Sequence, residues 1–228
     1  MGTNSIATEP LLRLLQLVSP ALPVGGFTYS QGLEWAVEAG WIRTAGDLEA
    51  WLADQLETAI YRLDLPLLIR MQAAVKERNT GMLARWTDRL LAARETSELR
   101  AEETNRGRAL ADLLAALGLL ESGDWRPFLA RSQTAGFAFA TVAWGIPPRA
   151  AALGYVWAWL ENLVLAGVKL VPLGQTQGQR IITDRIREVP ALVERALDLG
   201  DEDIGTASPA LAIASSTHEC QYTRLFRS

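Results

Sequence analysis

Apolar residues recur at helical spacing along almost the whole of this chain. Leu11, Leu12, Leu14, Leu15 and Val18 keep the three-to-four residue period and predict a short first helix that stops at Ser19-Pro20. A Pro/Gly loop follows, and Thr28 with Gln31 matches the S/T-x-x-E/Q capping pattern, predicting a helix through Ala39 with Gly40 as its stop. Leu48, Trp51, Leu52, Leu56 and Ile60 form an amphipathic run that continues past Pro66 to about Val75. Pro66 lacks the N–H the ladder needs and is expected to kink or divide that run. Residues 80–93 and 97–120 read as two more helices, and 124–130 as a short one. The stretch 134–144 is apolar nearly all round and belongs in the core. A long helix over 150–171, ended by Pro172, precedes helices at 176–187 and 190–199 and an acidic turn at Asp201-Glu202-Asp203. Strand alternation is nearly absent. The pattern predicts the all-α class: a single domain over 1–228, a bundle of about nine or ten helices with a C-terminal tail. Residues 1–8 are expected to be disordered. Residues 215–228 are expected to be a mobile partner-binding tail, because the amphipathic period fades after Ala214.

Composition narrows the chemistry. Apolar residues make up 49% and charged residues 21%, which excludes a disordered chain. A net charge of −4 argues against nucleic acid as the main partner. The uncharged stretch 14–33 is broken by Pro20, Pro23, Gly25 and Gly26, and 150–171 carries Glu161, Asn162 and Lys169. Neither reads as a signal or a membrane span, so no membrane partner and a cytoplasmic location are expected. With only Lys76 and Lys169 as lysines and no G-x-x-x-x-G-K-[ST] string, a phosphate-cradling loop is missing. The single histidine, His218, and single cysteine, Cys220, supply two ligands where a closed metal site takes about four. No catalytic residue, metal site or cofactor is therefore expected. The 26 acidic residues make carboxylate pairs inevitable without singling one out. The arginine-rich segments 62–94 and 100–108 read as solvated faces, and Trp51, Trp157 and Trp159 as core.

Two loops are unusual for an ordinary bundle. One runs from Ser19 to Glu34, with Pro20, Pro23 and the Gly25-Gly26 pair fixing a sharp entry to the next helix. The other runs from Lys169 to Arg180, where Thr176 with Gln179 is placed to cap a helix. Together with Trp159-Leu-Glu-Asn162 and the ending Tyr222-Thr-Arg-Leu-Phe-Arg-Ser228, they resemble the urease accessory protein UreF family from about Leu11 to Ser228. The resemblance implies an all-helical homodimer without catalytic activity. It would bridge a UreD/UreH-type accessory protein and the UreG GTPase for nickel insertion into apo-urease. It also implies a GTPase-facing surface around the helix end at Lys169, with Gln175 and Gln179. The tail residues Tyr222, Arg224, Leu225 and Phe226 are expected to contact the UreD-type partner, since aromatic and arginine side chains are enriched at interface hot spots. Two other readings stand beside this one: a helical enzyme with a pocket between helices, needing a titratable cluster around Glu161 or Glu34, and an adaptor unrelated to urease.

Overall fold

The computed structural model describes residues 6–120, 125–205 and 208–228. Among them the helices are α1 (Thr8–Val18), α2 (Leu33–Glu38), α3 (Ala45–Gln55), α4 (Leu65–Lys76), α5 (Thr80–Ala93) and α6 (Ser97–Ala116). They continue with α7 (Arg126–Leu129), α8 (Gln133–Ala143), α9 (Pro148–Leu170), α10 (Gln175–Ile186), α11 (Val189–Leu197) and α12 (Pro209–His218). The twelve helices among the described residues slightly exceed the nine or ten expected, and these residues contain no strand, as the periodicity predicts. The expectation for residues 1–8 falls mostly on 1–5, outside the described residues; α1 already begins at Thr8. Asp124, the expected start of α7, also lies outside them.

The bundle is built around α8, in which every residue from Thr134 to Thr141 is buried. It packs between α4 and α6, and its contact with α6 is close because Gly107 has no side chain. A Cβ there would lie 2.7 Å from the backbone of Ser132. Leu14, Leu17 and Val18 of α1 are buried against α9, where Gly154 leaves room for Leu14. By length and composition α9 is long and apolar enough to cross a bilayer, yet α1, α10 and α11 cover it. Its burial by neighbouring helices explains its apolarity.

Pro66 divides α3 from α4 as expected, through a π-helical stretch, Leu56–Asp64, that keeps the chain wound. A proline leaves the carbonyl four residues before it without its usual donor. Here that carbonyl, Arg62 O, accepts from Gly205 N at 2.9 Å.

Three local expectations fail. Thr28 and Gln31 do not cap a helix: Gly26–Thr28 is one 3-10 turn, Gln31 takes φ +52°, and α2 starts only after Gly32. The reason is tertiary, because Gly32 sits at φ +76° against α12, where a Cβ would meet Ser215 N at 2.9 Å. Thr176 and Gln179 form no cap either; Gly174 occupies the N-cap position of α10 and Thr176 lies inside its first turn. The arginine-rich segments are not simply solvated, since Arg94 and Arg106 turn inward onto carboxylates.

Candidate partner-binding surface

At the end of α12 the chain turns back, with Glu219, Cys220 and Gln221 amides donating to the Ser215, Thr217 and His218 carbonyls. Glu219 reaches the start of α6, accepting from Ser97 Oγ at 2.7 Å and Ser97 N at 2.9 Å. The Ser97 hydroxyl, helped by the Glu98 and Ser97 amides, holds the Glu219 carboxyl below its ordinary range. A carboxylate suits a helix N-terminus for the same reason.

Residues 224–228 then run against residues 28–34. Leu225 N donates to Glu34 Oε1 at 2.6 Å and Phe226 N to Glu34 Oε2 at 2.8 Å. Arg227 N donates to Thr28 O at 2.8 Å, and Ser30 gives both N–H and O–H to Ser228 O, at 2.6 and 2.5 Å. Arg224 Nη1 donates to Glu98 Oε1 at 2.7 Å. Asn162 of α9 donates to Tyr29 O at 3.1 Å, and Trp159 Nε1 to Gln31 Oε1 at 3.0 Å. The first loop, the Trp159–Asn162 stretch and the chain's last residues therefore form one hydrogen-bonded unit.

The expected tail is thus docked, which corrects the expectation of a mobile segment. Residues 215–218 belong to α12, Ser228 is fully buried, and Phe226 is only 6% exposed in a core with Leu33, Leu160 and Leu163. Tyr222 is fully exposed, and Leu225 is 67% exposed. Lys169, in the last turn of α9, is exposed with Nζ 5.7 Å from the centroid of the Phe226 ring. Gln175 and Gln179 are exposed on α10, which Gly178 holds close to α9; a Cβ at Gly178 would meet Val168 at 2.8 Å. The structure therefore brings Lys169 onto Phe226 and splits the tail into buried anchors and exposed tips.

The carboxylates that hold the tail, Glu34 and Glu98, were not singled out as anchors by spacing, because their partners lie far away in sequence. Glu34 does meet a titratable cluster, as the pocket-enzyme reading required, but both its oxygens are occupied by tail amides. Glu161, the other candidate, is half-buried, and burial raises its carboxyl while the Trp157 indole bonded to it lowers it.

A second polar cluster lies deeper, on the wall of a cavity of about 120 Å³ between the 19–27 loop, the π-helical stretch, α6, α8 and α9. Arg94 Nη2 donates to Asp64 Oδ2 at 3.0 Å and to Glu103 Oε2 at 3.2 Å. Glu103 also accepts from Ser132 Oγ at 2.6 Å and Thr134 N at 2.9 Å, and Tyr155 donates to Asp64 at 3.2 Å. Burial opposes both carboxylates. On Glu103 the Arg94 charge and the two extra donors outweigh it, leaving the carboxyl below the ordinary range. On Asp64 burial prevails over Arg94, and the carboxyl is raised. Each charge here is committed to an ion pair, an arrangement that serves packing.

The UreF family profile matches residues 42–185. A urease accessory protein UreF from Pseudomonas putida (strain W619) is 54% identical over 218 residues, covering 96% of this chain and 97% of that protein. One from Azoarcus sp. (strain BH72) is 51% identical with both chains covered completely. One from Alcanivorax borkumensis is 49% identical over 222 residues, covering 95% and 97%. With the all-helical bundle and the three joined motifs already in place, these matches show that the chain belongs to the UreF family of urease accessory proteins, which are accessory rather than catalytic.

Proposed function

We propose that this protein acts in the cytoplasm as a homodimeric, non-catalytic bridge between a UreD/UreH-type accessory protein and the UreG GTPase during nickel insertion into apo-urease. Nickel is cargo on this reading, and GTP hydrolysis belongs to the partner. The observation that carries it is the joined surface of Lys169 with the docked tail. Exposed Tyr222 and Leu225 offer apolar anchors, partly exposed Arg224 keeps donors beyond its pair with Glu98, and Lys169 adds an exposed charge next to Phe226. Tyrosine and arginine are enriched among the residues that dominate binding energy at interfaces.

Co-purification tests the reading. The unchanged chain is expected to recover both partner types and apo-urease. A Tyr222→Ala/Leu225→Ala chain is expected to lose the UreD-type partner, and a Lys169→Ala chain to lose GTPase. Full recovery of both partners by both variants, or unaided turnover of a substrate by the purified protein, would sink it.

A further inference from the structure

His218 is the only histidine in the chain, and it is fully buried. Its Nδ1 lies 2.7 Å from Glu98 Oε2, and its Nε2 lies 3.2 Å from Glu34 Oε2. An ionised carboxylate only accepts hydrogen bonds, and a neutral imidazole carries one N–H. Both contacts are therefore hydrogen bonds to carboxylates only when both ring nitrogens carry hydrogen. The charges agree: Glu34 from α2 and Glu98 from α6 are balanced by an imidazolium from α12 and by Arg224 from the tail. A neutral ring would leave one buried negative charge uncompensated, which is costly. These two carboxylates also receive the tail, through the Leu225 and Phe226 amides on Glu34 and Arg224 on Glu98.

We propose that His218 is a positioning residue: as an imidazolium it fixes Glu34 and Glu98 in the orientation that holds residues 224–226 on the bundle. The consequence for partners rests on the bridging role proposed above, whereas the docking is a property of the isolated chain. Through His218 the presentation of Tyr222 and Leu225 depends on one buried proton.

Nitrogen-15 NMR of the full chain labelled at histidine reads a single side chain, with no substitution needed. Two protonated ring nitrogens are expected, and one protonated beside one bare nitrogen would overturn the proposal. In a His218→Asn chain, which keeps one donor but places an acceptor against a carboxylate, amide protection at Leu225 and Phe226 is expected to fall by about tenfold or more while α8 stays protected. Unchanged protection at those two amides in a folded variant would also overturn it. Loss of protection together with loss of the UreD-type partner supports both readings. Loss of protection with the partner fully retained supports the positioning role of His218 and counts against the bridging role instead.

Discussion

Lys169 Nζ stands 5.7 Å from the centre of the Phe226 ring, so the end of α9 and the last residues of the chain touch through a cation–aromatic contact. Such a contact at an exposed site contributes about 0.5–1 kcal/mol. A Lys169→Ala chain should therefore melt close to the parent while recruiting less GTPase at physiological salt. A thermal melt and a pull-down on the same preparation check this, and undiminished GTPase recovery would remove Lys169 from the interface.

The docked tail changes what its deletion should do. A mobile tail would leave the melting temperature almost unchanged when Tyr222–Ser228 are removed. The buried Phe226 and Ser228, and the amides on Glu34, reverse that expectation. Phe226→Ala should cost about 3 kcal/mol, whereas Tyr222→Ala should stay within about 0.5 kcal/mol. Urea unfolding separates the two. Equal stabilities would mean that Phe226 does not anchor the tail in solution.

The Glu103 carboxyl is held below its ordinary range, so its proton affinity is lower folded than unfolded. Its stabilising contribution is fully present above the ordinary carboxylate range and is lost as the pH falls through its folded value. Asp64, raised by burial, has the opposite sign and loses stability as the pH rises toward its folded value. Glu103→Gln should therefore lower stability at neutral pH by about 1.5–3 kcal/mol, because a neutral amide accepts more weakly than a carboxylate from Arg94, Ser132 and Thr134 N. The gap to the parent should narrow as the solution is acidified. A gap that stays constant with pH would assign the effect to packing rather than charge.

Gly107 and Gly174 make a matched pair. A methyl at Gly107 meets the Ser132 backbone at 2.7 Å, whereas nothing lies within 4 Å of one at Gly174. Gly107→Ala should cost about 1–3 kcal/mol through forced separation of α6 and α8. Gly174→Ala should be nearly neutral. Similar stabilities for the two variants would show that α6 and α8 are less tightly packed than their backbones indicate.

Helix positions were legible because each depends on its own residues: apolar spacing, a proline, a glycine stop. The reading of 80–93 coincides with α5, and the all-apolar stretch 134–144 forms the centre of the core. The family was legible for a related reason, since its motifs are short and continuous. The caps at Thr28 and Thr176 were misread because a capping pattern states only what a side chain is able to do. At Thr28 the packing of Gly32 against α12 set the backbone first, and at Thr176 the helix begins earlier, with Gly174 at its N-cap position.

By itself, the sequence determined the all-helical class, the order of the helices and the family, all of which follow from residues close together along the chain. Tertiary structure alone decided which charges are buried and what holds the tail. Arg94 is far from Asp64 in sequence, and Glu34 is far from both His218 and Phe226, so no local period records their meeting. An arginine or glutamate in an amphipathic helix carries the same pattern whether it faces water or a counter-charge. Only the approach of a second helix, which removes water and supplies the opposite charge, tells the two apart.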